Sequence, residues 1–465
     1  MRSLNPRRMF GASLLVIIAS IAPGLADTVF TPVVDFPGQV SATSATRGEP
    51  VYKGSKVVIS GEKLIPGQEI TLMRGPTVLN AAGPLVVDAE GKFSFELTVD
   101  ADAATGQQPV LVIAEKPAAA EMITLKISPE IPISGTEKFA IANGPVTRGL
   151  YQVDYSEASK AVFVASAVGR PPVRQSALTK LDAETLAVLA QAEPPAAPAR
   201  EDEDGGVFAV YGVGVDDANG TVWVTNSRQN TIAVYAQADL KLIKQFEPGA
   251  VNHARDVVID EINGRAYASA TRTGNIEVFD TRTLEQLAPI VITSAKRGGE
   301  YSAMSLDIDP ASGKLFNVSM STNELAVIDL KSGESRLIDL PGAKAAAGVA
   351  YDAKEGLIFV VSQQSDNLLI IDEASGEIKF DLPVGAQPLN VTFEPKSGLA
   401  YVANRGSGTI AVVNRKGEIV ANLDAGNSTN QLRADGEGRI WAVNKARGEN
   451  DPTGDNIWRI TLAAE

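Results

Sequence analysis

One strand-turn-strand motif recurs along this chain and limits what it can become. Val222-Trp-Val-Thr-Asn-Ser-Arg-Gln-Asn-Thr-Ile-Ala-Val-Tyr235 returns in form as Ala400-Tyr-Val-Ala-Asn-Arg-Gly-Ser-Gly-Thr-Ile-Ala-Val-Val413, with weaker copies around both. A unit of about forty residues made of short strands cannot bury its apolar face alone, so copies must stack on one another. The repeat predicts an all-β chain whose main body is a seven-bladed β-propeller.

The register comes from a polar residue that ends one apolar strand just before a turn. It is read at Asp154, Asp216, Asp260, Asp309, Asp352, Glu394 and Asp435, which marks seven units. In the third unit a strand at Asp256 to Ile259 leads through Glu261-Ile-Asn-Gly264 to strands at Ala266 to Ala270 and Ile276 to Phe279, then to a fourth near Leu284 to Pro289. Wholly apolar or alternating runs suit strands packed between neighbouring sheets. A many-stranded β-sandwich is the alternative, and the regular spacing weighs against it. The last unit has room for only three strands, while Lys138-Phe-Ala-Ile-Ala142 precedes the first as an orphan. The propeller is therefore placed at 137–465, closed by strand 138–142, because an open ring would leave two unpaired edges.

The N-terminal third reads differently. Residues 1–26 have the pattern of a secretion signal: Arg2, Arg7 and Arg8, an apolar run from Phe10 to Ile21, then small residues at Pro23-Gly-Leu-Ala26. Arg7-Arg8-Met9-Phe10 also matches a twin-arginine export motif in outline, which leaves the export route open. The expected location is periplasmic or secreted, with no integral membrane segment after signal cleavage. Residues 27–36 read as a disordered leader, and the run Ser41-Ala-Thr-Ser-Ala-Thr46 extends that loose character. Residues 37–132 carry strand patterns at Val57 to Ser60, Glu69 to Leu72, Phe93 to Val99, Val110 to Ala114 and Met122 to Ile127. They predict a small immunoglobulin-like β-sandwich.

Composition narrows the chemistry. There is no cysteine, so neither disulfides nor thiol catalysis apply. The formal charge of −14 becomes −17 once the three leader arginines are removed, which disfavours non-specific binding to nucleic acid or anionic lipid. The insertion Glu193-Pro-Pro-Ala-Ala-Pro-Ala-Arg-Glu-Asp-Glu-Asp-Gly-Gly206 reads as a solvated loop; its carboxylates lack the spaced ligands and glycine of a recognised calcium loop.

At Trp223-Val-Thr-Asn226 and Tyr401-Val-Ala-Asn404 the chain resembles the YVTN-repeat family of secreted seven-bladed β-propellers, over about residues 137 to 465. The resemblance implies that fold and export. The family includes surface-layer and periplasmic proteins and relatives near quinoprotein catabolic genes, and it implies no particular reaction. The N-terminal sandwich lies outside it.

Propeller geometry places the loop after each second strand and the loop into the next inner strand on one face. Asn226, Arg228, Arg272, Gln363, Gln364, Asn404, Arg405 and Asn444 fall on the first kind, with Arg148, His253, Arg255, Arg297 and Lys344 on the second. The expected ligand-binding set is Arg148, Asn226, Arg228, His253, Arg255, Arg272, Asn404 and Arg405, because converging arginines suit a carboxylate, a phosphate or an acidic segment. The asparagines have a competing role in bonding nearby backbone. Trp223, Trp441 and Trp458 read as packing residues. No catalytic residue, metal ligand or cofactor is expected: His253 is the only histidine, and neither HExxH nor G-x-S-x-G occurs. The expected function is an exported, non-enzymatic scaffold that binds an envelope protein or small anionic ligand. An enzyme or accessory protein of oxidative, quinoprotein-linked catabolism and a single-stranded nucleic-acid binder are the alternatives.

Overall fold

Runs such as Thr221–Asn226 and Leu357–Ser362 bury every side chain, as a strand must when it is covered on both faces. In the computed structural model, which describes residues 33–199 and 204–463, these are the second strands of four-stranded antiparallel sheets. The segment read as a secretion signal lies outside the described residues. Among the described residues seven such sheets follow one another, with inner strands Leu150–Ser156, Val213–Asp216, Ala254–Asp260, Ala303–Asp309, Ala346–Asp352, Pro388–Glu394 and Thr429–Ala434. Each inner strand touches the next, and the last touches the first, so the sheets close on themselves. The chain is all-β, with a propeller-type ring.

The seventh sheet draws on both ends of the ring segment. Thr429–Ala434, Arg439–Asn444 and Asn456–Leu462 are completed by Phe139–Pro145, which pairs antiparallel with Asn456–Leu462 and sets Ile141 opposite Ile460. Buried aromatics fill the gaps between sheets. Trp223 lies against Phe246 and Phe279, and Trp441 stacks on Tyr155 at 5.7 Å.

Two details of the strand register differ from the sequence reading. Asp216 and Asp260 end their inner strands and accept backbone N–H groups of the following turns, from Asn219 and Asn263. In the first sheet that place belongs to Ser156, which accepts the Ser159 N–H; Asp154 lies two residues earlier. The fourth strand of the third unit is Ile290–Val291, beyond the expected 284–289, where only an isolated bridge joins Gln286 to Phe279.

The N-terminal module has two sheets. One holds Gln39–Ser44, Lys56–Glu62 and Phe93–Thr98; the other is built on Glu69–Arg74, Gly106–Glu115 and Ala119–Ile127. Val57, Ile59, Ile70, Leu72 and Val112 form its core, separate from that of the ring. The Ser/Thr run expected to be loose is an edge strand instead. An edge strand need bury only alternate side chains, and Val40 and Ala42 do so while Ser41 and Thr43 stay exposed. The leader is also partly ordered, since Val33 bridges Ala118 and Phe36 packs on the core.

Polar contacts seat the module on the loop face of the ring. Lys126 Nζ lies 2.6 Å from Asp366 Oδ1 and donates to the Gln363 carbonyl, and Lys344 Nζ donates to Gln107 Oε1 at 2.7 Å. The linker is held too: Ser134 bridges Asn422, whose side chain donates to the Ile131 carbonyl. No helix among the described residues is long and apolar enough to cross a membrane.

Candidate anion site at the channel mouth

Inner strands of neighbouring sheets splay apart around the axis and do not pair, so their N–H groups need other acceptors. Side chains supply them. Gln152 accepts from Val213, Asp154 from Val215, Asp256 from Leu306, Asp307 from Tyr351, and Asn390 from Leu432, at 2.7–3.1 Å. Gln431 accepts from Val153 across the ring closure at 2.9 Å. Glycine at 212 leaves room for this, because a Cβ there would lie 3.0 Å from Gln152 Oε1 and 2.8 Å from the Arg255 carbonyl.

The same side chains give the channel its charge. Burial pushes the Asp307 carboxyl up to about 6 and raises that of Asp154, although Arg433 opposes both shifts. Burial works against the Arg433 charge, yet Asp154, Asp256 and Asp307 together hold its guanidinium more firmly protonated than usual. Among the described residues no group of three or more acidic or histidine side chains is placed to hold a metal ion.

Above this acidic waist the mouth is basic. His253 has positive φ and is fixed by its backbone: Asn230 Oδ1 accepts its N–H at 2.9 Å, and its carbonyl accepts the Thr271 hydroxyl at 3.1 Å. Burial lowers the His253 imidazole below its ordinary value, and Arg272, Arg228 and Arg255 lower it further. Three guanidiniums therefore act on one half-buried ring. Burial also lowers Arg255, against the pull of Asp256 and with the repulsion of Arg405, which reaches it from the sixth sheet. Its Nε is buried with no hydrogen-bond partner. Tyr151 and Tyr211 meet edge to face at 4.6 Å beside this group, and Lys445 Nζ sits 3.6 Å from the Tyr151 ring centre. Arg228, His253 and Arg272 line a cleft of about 360 Å³ whose far side includes Pro198 and Asp204 of the acidic insertion.

Arg228, His253 and Arg272 thus share one cleft, with Arg255 near enough for its charge to act on His253; Arg405 lines the neighbouring cleft against the N-terminal module and acts on Arg255. Arg148 stands apart: it is exposed, pairs with Glu449 at 3.4 Å, and lines a separate small cavity. Asn226 and Asn404 are fully buried beneath the surface. Asn226 donates to the Phe208 and Ala209 carbonyls, and Asn404 donates to Val384 O at 2.7 Å. Asn444 does the same for Ala425, so these amides brace loops from buried positions. Gln363, Gln364 and Lys344 are spent on seating the N-terminal module. Arg297 is exposed on its loop.

Sequence reasoning passed over Tyr151, Tyr211, Lys445 and the channel carboxylates. A readable signal existed: polar residues interrupt inner strands that are otherwise apolar, as in Gln152 and Asp154.

Comparison with solved structures supports the ring architecture. A catalytically inactive variant of virginiamycin B lyase from Staphylococcus aureus, solved with quinupristin, is similar at a TM-score of 0.54 and 14% identity, covering 70% of this chain and 100% of that one. The WD40 repeats of RRP9 give 0.56 and 9%, covering 72% and 100%. Kuenenia stuttgartiensis hydrazine synthase gives 0.54 and 17%, covering 68% and 96%. At such identities the likeness concerns the fold alone. No family model matches the chain, and no curated protein matches it in sequence.

Proposed function

We propose that this protein is an exported, non-enzymatic recognition scaffold that binds an anionic ligand or acidic protein segment at the channel mouth. In this reading the ring is a seven-bladed propeller of the YVTN-repeat kind, and the N-terminal module is immunoglobulin-like and orients it in the periplasm or outside the cell. The convergence of Arg228, Arg255 and Arg272 on His253 carries the proposal. Like charges gathered in a partly desolvated site repel one another, and an anion relieves that repulsion while accepting their hydrogen bonds. The chain as a whole is acidic, so the basic mouth is a local exception.

The test is crosslinking of the mature protein in its native envelope extract, beside a folded variant with Arg228, Arg255 and Arg405 changed to Gln. The reading expects a reproducible partner or ligand that the variant loses without a drop in melting temperature. Equal capture by both proteins counts against it.

A second reading, an exported enzyme, draws on His253, whose neutral imidazole beside a cleft suits a general base. The virginiamycin B lyase neighbour makes that class worth testing. Turnover that His253→Ala abolishes in a folded protein would favour it.

A further inference from the structure

We propose that the cleft between the N-terminal module and the ring is a composite site for an extended acidic peptide segment. The inference rests on the anion-binding reading of the mouth, and adds the ligand class and a second wall. The cleft encloses about 1040 Å³, at the upper end of the size range of ligand pockets, and domain interfaces are common places for such pockets. Its ring side carries Arg405, Lys445 and Arg447; its module side carries Arg47 and Lys126, against a single carboxylate, Glu49.

The cations differ in how far they are already engaged. Lys126 is paired with Asp366, and Lys445 lies over Tyr151. Arg447 donates one N–H to the Gly406 carbonyl at 3.3 Å, which leaves most of its fork free. Arg47, Arg405 and Arg447 are all exposed. They come from three separate loops, so one carboxylate cannot meet all three, whereas a chain bearing several carboxylates can.

A strand edge supplies the other half of the argument. Gln39–Ser44 pairs on one side with Lys56–Glu62; no described strand hydrogen-bonds its other edge, and Ala119–Ile127 of the second sheet lies close by and forms part of the cleft wall. Ala42, Thr43, Ser44 and Ala45 line the cleft directly. Unpaired main-chain groups of an edge strand accept an added extended segment, and side chains of that segment then reach the walls on either side. Basic loops opposite an unpaired strand edge favour a segment that is both extended and acidic.

The experiment is calorimetric titration of the intact mature chain with hexaglutamate, glutarate and inorganic phosphate. The proposal expects hexaglutamate to bind more tightly than either small anion, with affinity falling as salt rises. R47A/R447A should weaken hexaglutamate about tenfold, as expected for losing charge-assisted contacts. R282A/K331A, exposed positions on the opposite face, should bind as the unchanged protein does. Hexaglutamate binding that survives R47A/R447A and is lost in R228A/R272A overturns the composite cleft and leaves the mouth reading standing. Equal affinity for glutarate or phosphate overturns the peptide class, and no binding of any probe overturns both readings.

Discussion

Lys126 Nζ lies 2.6 Å from Asp366 Oδ1, and this ion pair couples the N-terminal module to the ring. The carboxylate is almost wholly buried, at 3% exposure, and also accepts the Gln387 N–H at 2.7 Å. Asp366 has positive φ, a conformation that Asp and Asn tolerate better than most residues. The pair thus sits where the module, the fifth sheet and the loop to the sixth meet.

Lys126→Met should leave the Asp366 carboxylate buried without its cation, a situation that costs several kcal/mol in full burial and about 2 kcal/mol at this partly open junction. Hydrogen exchange should quicken about thirtyfold at 363–366 and in the linker 128–135, with the ring core unchanged. Lys126→Met with Asp366→Asn should recover part of that protection, since neither charge then remains unpaired. Unchanged exchange in the single variant would mean that the pair does not hold the module.

The buried asparagines should behave as braces. Asn226→Ala and Asn404→Ala each remove a donor from buried loop carbonyls, so each should lower stability by about 1–3 kcal/mol in urea denaturation. Anion binding by the folded fraction should change less than about twofold. A selective loss of binding at full stability would return these residues to the ligand site.

Asp307 gives the pH dependence a definite sign. Its carboxyl is raised to about 6 by burial, above the unfolded value near 4, so between these limits the folded state holds the extra proton. Its contribution is therefore most favourable at low pH and is lost as pH rises through about 6. Asp307→Asn should therefore flatten the fall in stability between pH 5 and pH 7.5 by about 1 kcal/mol. Asn keeps an acceptor for the Tyr351 N–H. Thermal melts at the two pH values decide it, and an unaltered pH slope would refute the assignment.

The ring was legible because strand spacing is a local property that each repeat writes again, as in Trp223-Val-Thr-Asn226 and Tyr401-Val-Ala-Asn404. The first unit misled because Asp154 looks like the turn residue Asp216, although it faces the channel and answers to Val215 and Arg433 of neighbouring sheets. The run Ser41–Thr46 looked loose because an edge strand can be polar on one face. The loop arginines could be found by their offset from the second strand. Their direction could not, since Glu449 draws Arg148 aside while Arg255 feels the charge of Arg405 from another sheet, and neither neighbour is close in sequence.

The chain has one histidine, so a single imidazole resonance reports on the mouth. The most direct test is an NMR titration of His253, with and without added glutarate, in the unchanged protein and in Arg228→Gln/Arg272→Gln. The account predicts a pKa below the ordinary value of about 6.5, a rise when the two arginines are removed, and a rise when the anion neutralises them. An ordinary pKa indifferent to both changes would contradict a converging basic mouth.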